Sequence, residues 1–484
     1  MRISFPAVVA AGALVCLAPL AARSQTDTAL KLSTTVPQAA AEFRAGMADW
    51  ENFSIESAAS HFQSALKSDP GFGLARTMYA FIGGSLTGEL PQPQAIVEAN
   101  RGVSDAAARG NSNEMLLAAA YRESLRGDNQ AAGALFRAAS VLMPRDRLIL
   151  ITGFGLPNNT SEQLAFLRDF IAKNPDYAPA YNTYAYTLWG QGDTTGAIAA
   201  ARRQTELNPN APNPYDTYGE ILQWSGKFPE ATVAYRRATT LSPRYPEAYA
   251  GLAEVEALQG NYDQARAYLN QAIANAWTPQ QKLSYMRQIA GTYALQGNAP
   301  DAFTKQLEAV AAEAKAQHNP RGAAIATVQQ ATVYANAGNA SAAHQAIGTA
   351  KAPSVDVPWQ VSYYAAMAHG LLKHWVPANQ ELVALRAKAA GDSTVSGDML
   401  AAAEAFLDTQ QGRPADALRA LSTADSTNFL VMSRLAEAHA ALGHTAEAAR
   451  WNNKINSNYQ LSLSDFTSVN SRRRAKLATA AKTP

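Results

Sequence analysis

The sequence predicts an all-α fold built from stacked antiparallel helix hairpins, and three observations predict it. Tyr181, Tyr215 and Tyr249 lie 34 residues apart, and the same interval separates Pro175, Pro209 and Pro243, Gly192, Gly226 and Gly260, and Ala197, Ala231 and Ala265. Within each unit the apolar residues recur with the period of a helix, so that Tyr215, Tyr218, Gly219 and Leu222 fall on one stripe. The composition agrees: 47% hydrophobic residues exclude wholesale disorder, and only 17% charged residues, with alanine prominent, suit closely packed helices.

The unit from Asn213 to Pro243 shows how each element arises. The stripe Tyr215, Tyr218, Gly219, Leu222 makes the buried face of a first helix. Gly226 supplies the left-handed residue that ends a helix and turns the chain. Ala231, Tyr235 and Ala238 make the stripe of a second helix, which Pro243 terminates. Small residues at Gly219, Ala231 and Ala238 let the two backbones approach. A hairpin of this size cannot hide its own apolar faces, so neighbours must stack.

This pattern resembles the tetratricopeptide repeat (TPR), whose 34-residue unit reads W-x2-L-G-x2-Y, then A-x3-F, A and P. Tyr181/Tyr184-Ala185, Tyr215/Tyr218-Gly219 and Tyr249/Leu252-Ala253 carry it in the first helices. Ala58, Phe62, Ala65 and Pro70, and then Ala132, Phe136, Ala139 and Pro144, repeat its second half. Those two prolines lie 74 residues apart, room for a looser hairpin with a loop at Pro91 and Pro93. Downstream, Gly297, Gly338, Gly412 and Gly443 are each followed five residues later by Ala302, Ala343, Ala417 and Ala448, at irregular spacing. The resemblance implies a right-handed α-solenoid. We divide the chain into divergent hairpins over 39–175, well-matched repeats over 176–279, and irregular hairpins over 280–456, one turning between Lys373 and Val376. A C-terminal segment with a basic tail spans 457–484.

The N-terminus carries Arg2 and a short apolar stretch from Ala7 to Leu20, the pattern of an export signal covering 1–24, with cleavage before Gln25 or after Ala22. Residues 25–38 then read as a flexible lead-in. The expected destination is the bacterial periplasm or beyond. Cys16, the single cysteine, lies within the apolar stretch; Val15 before it is too bulky for a lipidation signal. The remaining chain then has no thiol, disulfide or cysteine-ligated metal.

The chain has 41 Lys plus Arg against 39 Asp plus Glu. Without the leader's Arg2 and Arg23, and without the five basic residues of 471–484, the body holds 34 basic against 39 acidic groups, a net −5. The tail, with Arg472, Arg473, Arg474, Lys476 and Lys482, reads as a frayed solvated end or as a peripheral contact for an anionic envelope surface. No nucleic-acid partner is expected.

No catalytic, cofactor or metal set emerges. Ser64 and Lys67 match S-x-x-K without the companion motifs of a serine enzyme. His369/His374 and His439/His444 are five apart, off the same-face spacing of a helical ligand pair. Tyr181, Tyr215 and Tyr249 are expected in the core, and Trp224 at the edge between repeats. In the TPR family ligands lie on the concave face of the first helices. Residue by residue, that resemblance points to Asn182, Tyr186, Trp189, Asp216, Glu220, Gln223 and Glu254, with Asn213 and Glu247 beside them. The set is aromatic, amide and acidic, suited to a peptide with basic side chains. Thr217, Glu247 and Gly251 replace the basic members of the carboxylate clamp that holds acidic chaperone tails. The expectation is a non-enzymatic protein-binding scaffold of the envelope, not an integral membrane protein. Glycan or small-ligand binding by the same groove, or a role as regulatory subunit of an envelope enzyme, are the alternatives.

Overall fold

The computed structural model describes residues 30–52, 54–87, 89–143, 160–352, 357–390 and 395–480. The proposed leader with Cys16, and also Pro144 and Lys482, lie outside them. Among the described residues there are 24 α-helices and no strand. The four 34-residue registers of the sequence become hairpins α8 (Ala178–Gly190) with α9 (Thr194–Leu207), α10 (Pro212–Trp224) with α11 (Phe228–Leu241), and α12 (Pro246–Gln259) with α13 (Tyr262–Ala274). Proline at the first turn starts each of α8, α10 and α12, where its missing N–H costs nothing. Gly192, Gly226 and Gly260 adopt φ of 82°, 74° and 89°, the left-handed turn that the sequence requires there.

Stacking follows from the small residues. Tyr235, on α11, is 2% exposed, and its ring lies between Gly219 of α10 and Gly251 of α12; a side chain at either glycine would strike it. One tyrosine thereby joins two consecutive repeats. The register tyrosines themselves differ from expectation. Tyr181, Tyr215 and Tyr249 are half-buried, and their phenols donate to the carbonyls of Pro175, Pro209 and Pro243 at 3.2, 3.2 and 3.0 Å. The fully recurring pair is thus a tether across the linker between hairpins, and the core positions go to Tyr177, Tyr245 and Tyr235.

The array continues through α14 (Pro279–Gln296) and α15 (Pro300–Ala316), α16 (Pro320–Asn336) and α17 (Ala340–Lys351), and α18 (Trp359–Leu371) and α19 (Trp375–Ala389). It ends with α20 (Gly397–Gln410) and α21 (Pro414–Ala420), then α22 (Phe429–Ala441) and α23 (Thr445–Asn456). On the N-terminal side lie α1 (Pro37–Glu51) with α2 (Ile55–Ser68), α3 (Gly73–Ile82) with α4 (Gln92–Ala108), and α5 (Ser112–Arg126) with α6 (Asn129–Leu142). A wide π-helical turn, Gly83–Thr87, and the loop through Pro91 separate α3 from α4, the looser hairpin that the proline spacing called for. Helix α7 (Thr160–Lys173) packs on α8. No helix of the described residues is long and apolar enough to cross a membrane.

Both ends depart from the sequence reading. Residues 30–36, expected as flexible, are held: the Ser33 amide and hydroxyl both donate to the Glu114 carboxylate, at 2.6 and 2.5 Å, while Leu30, Leu32 and Val36 pack on the N-terminal core. The basic tail is not a solvated end either. Residues 458–476 fold back into the array, and helix α24 (Phe466–Ala480) packs on α14, α22 and α23. Val469 and Ala475 are fully buried, and Arg472 is 1% exposed. The apolar residues Leu461, Leu463, Phe466 and Val469 on the same segment explain this, because they join the apolar clusters of helices α12 to α16.

Candidate functional site

First helices α8, α10 and α12 place the expected concave-face residues side by side. Tyr186 donates its phenol proton to Glu220 Oε2 at 2.5 Å, one repeat onward, and the Asn182 amide donates to Thr217 Oγ1 at 2.7 Å. The rings of Tyr186 and Trp189 both meet Trp224, at centroid distances of 5.8 and 5.5 Å. Trp224 therefore closes this face from the repeat edge. Gln223 is the exception in the set. It is fully buried, accepting from the Tyr235 phenol at 3.0 Å and donating to Glu254 Oε2 at 3.1 Å, so its amide serves the repeat interface and is not displayed.

Asp216, Glu220, Glu247 and Glu254 form the floor. All four are half-buried. Burial, followed by the neighbouring Glu220, Glu247 and Glu254, pushes the Asp216 carboxyl well above its ordinary range. Burial likewise pushes Glu254 up to about 8 and Glu247 up to about 7, against the hydrogen bonds donated by Gln223 and Gln281. Glu220 is raised by burial too, and the Tyr186 phenol opposes the shift. Glu247 Oε2 is buried without a hydrogen-bond partner among the described residues. Among the described residues, no cation is among the groups acting on these four acids.

The C-terminal segment borders this floor. The Leu463 backbone hydrogen-bonds Glu254, and Tyr459 packs edge-on against Phe228, with ring centroids 5.1 Å apart. Farther along the groove the basic residues find partners inside the array. Arg473 donates to the Gly297 carbonyl at 3.1 Å, Lys476 to the Leu258 carbonyl at 3.4 Å, and Arg474 to Glu437 at 2.6 Å. Glu437 also accepts from Arg434 at 2.5 Å. Burial opposes its ionisation, but the two guanidiniums hold the carboxyl below its usual range. Arg472 donates to the Asn458 carbonyl and lies over the Phe429 ring. Between α24 and the inner helices remain cavities of about 280 and 360 Å³, the first lined by Tyr363, Phe406, Arg434 and Arg474.

The acid floor was legible from the 34-residue register, because positions at fixed offsets in successive first helices must share one face. The segment that borders it was not, since no repeat signal marks residues 458–476.

Tetratricopeptide-repeat family models match residues 178–211 and 225–280. No curated protein sequence matches the chain. Among solved structures, a crystal structure of MamA is similar at 18% identity, covering 32% of this chain and 93% of that one, with a TM-score of 0.26. The structure of PilF from Pseudomonas aeruginosa is similar at 14% identity, covering 44% of this chain and 93% of that one, with a TM-score of 0.33. The matched repeats coincide with hairpins α8 to α13, so this chain carries tetratricopeptide repeats over residues 178–280.

Proposed function

We propose that this chain is a non-enzymatic protein–protein interaction scaffold of the bacterial envelope. In this reading it receives a partner segment carrying basic side chains on the concave face of α8, α10 and α12. The observation that carries the reading is the cluster of Asp216, Glu220, Glu247 and Glu254, whose carboxyls burial raises, with no cation of the described residues acting on it. Such carboxylates are costly when ionised and alone, and a lysine or arginine from a partner offsets that cost. The edge formed by Tyr186, Trp189 and Trp224 adds an apolar shoulder of the kind that interaction hot spots use. The envelope setting rests on the leader-like residues 1–24. Glycan or small-ligand binding draws less support, because the Tyr186 and Trp189 rings are already packed on Trp224 and the Tyr186 phenol is engaged by Glu220. Nothing in the groove favours the regulatory-subunit alternative over a plain scaffold.

The test is a peptide array probed with the purified chain, in which each basic peptide is paired with its Lys/Arg→Met counterpart. Selective retention of basic peptides, lost in an Asp216→Asn/Glu254→Gln variant, supports the reading. Equal retention of both series, or no effect of the variant, removes it. Fractionation of cells expressing the chain, with and without residues 1–24, tests the location.

A further inference from the structure

Away from the groove, the hairpin of α18 and α19 turns on Lys373, which takes a left-handed φ of 58° where hairpins such as α16–α17 and α22–α23 use Gly338 and Gly443. This turn brings residues five apart together: the His374 amide donates to the His369 carbonyl at 2.9 Å. The helix ends between the two histidines, so the same-face rule for a continuous helix does not govern them. His344, on α17 of the preceding hairpin, reaches the same spot. Its Nε2 lies 3.1 Å from His374 Nδ1, and its ring centre lies 5.3 Å from that of His369. One ring nitrogen from each residue lies within 4.8 Å of the other two.

The three side chains differ usefully. His369 is 7% exposed, and its Nδ1 is buried with no hydrogen-bond partner among the described residues. His374 is half-buried, and His344 is exposed. His344, His374 and Lys351 are the polar neighbours of His369. Lys351 is itself paired with Glu381 of α19, so that acid is engaged. Neutral imidazoles are the common ligands of zinc and its neighbours in the first transition row. Tetrahedral Zn–N bonds of about 2.0–2.1 Å place neighbouring nitrogens about 3.3 Å apart. The pair at 3.1 Å already meets that spacing, and the His369 and His374 rings, whose centres are 6.3 Å apart, must turn toward each other to supply the rest. We propose that His344, His369 and His374 form a three-imidazole site for a borderline divalent metal ion, Zn(II) being the best fit, with the open position left to water. The ion staples α17 to the α18–α19 turn, joining two consecutive repeats.

The molecule contains its own control. His439 and His444 flank an equivalent turn on Gly443, the His444 amide donating to the His439 carbonyl at 2.9 Å with ring nitrogens 3.3 Å apart, but no third imidazole joins them. The untagged protein is titrated with Co(II), read by its visible d–d bands, and then with Zn(II), read by calorimetry and by metal content after dialysis. One ion per chain with tetrahedral Co(II) bands, displaced by Zn(II), is expected. His344→Ala, at an exposed position, should leave the circular dichroism unchanged and weaken binding at least about a hundredfold, with His374→Ala behaving alike. The double variant His439→Ala/His444→Ala should bind as the wild type does. Absence of binding, binding that survives His344→Ala and His374→Ala, or binding lost with His439 and His444 overturns the proposal.

Discussion

The carbonyl oxygen of Leu463 lies against the Cα of Gly291 so closely that a single methyl group on Gly291 would overlap it. Helix α14 thus accepts the C-terminal segment through a bare patch of backbone, and Leu461 and Leu463 fill the space on either side. Gly291→Val should therefore expel residues 458–476 while the repeats stay helical. The expected loss is about 1–3 kcal/mol, as for overpacking of a well-filled core. Limited trypsin digestion should then cut after Arg472, Arg473, Arg474 or Lys476 much faster than in the wild type. An unchanged digestion pattern would mean that the segment is held by something other than this contact.

Gly226 and Gly260 offer a matched comparison. Both are left-handed turn residues, with φ of 74° and 89°, but a Cβ on Gly226 would stand 2.8 Å from the Tyr459 ring, whereas nothing lies near Gly260. A β-branched residue in this conformation costs about 1–2 kcal/mol. Gly260→Val should show that cost alone, and Gly226→Val about 1–3 kcal/mol more, with release of the Tyr459 contact. Urea unfolding of the two variants, with Tyr459→Ala as background, checks the difference; equal losses would refute it.

The groove floor predicts an unusual pH profile. Glu254 and Glu247 titrate at about 8 and 7 in the folded protein, against an ordinary value of 4.5. Between these limits the native state holds more protons than the unfolded chain, so stability falls as pH rises from about 4.5 to 8. Glu254→Gln should be more stable than the wild type at pH 8, with the gap closing by pH 5. Urea midpoints across that range measure it, and a gap independent of pH would contradict the assignment.

At the other end, Asp69 behaves oppositely. Arg109 grips both its oxygens at 2.7 and 2.6 Å, and Thr34 donates to it at 2.5 Å. The Arg109 hydrogen bond, against the effect of burial and with help from Thr34, lowers its pKa from 3.8 to about 2. This depressed value contributes stability that is present above about pH 4 and lost as pH falls toward 2. Asp69→Asn should cost about 2–3 kcal/mol at neutral pH, less than a fully buried pair because Arg109 is partly exposed. Hydrogen exchange should show residues 30–36 loosening first.

Much of this molecule is local information. The hairpins, their turns and the shared face of Asn182, Asp216 and Glu254 follow from a period of 34 residues, because identical units must stack in one register. Even the Tyr–Pro tethers were visible as paired recurrences, although their half-exposed position was not, since a tyrosine on an apolar stripe can point its ring along the linker as well as into the core. Three features were decided by tertiary structure alone. The basic C-terminus reaches Gly297 and Leu258 across 176 and 218 residues, and no periodicity encodes contacts of that range. His344 joins His369 and His374 only because one hairpin lies on the next and a left-handed residue folds the chain back within five positions. The burial that raises the four acids arises only once the hairpins pack together. The sequence by itself determined the repeating unit and the face it presents. What lies in that face, and which side chains meet across hairpins, was settled by packing, because those contacts depend on how whole repeats are placed against one another.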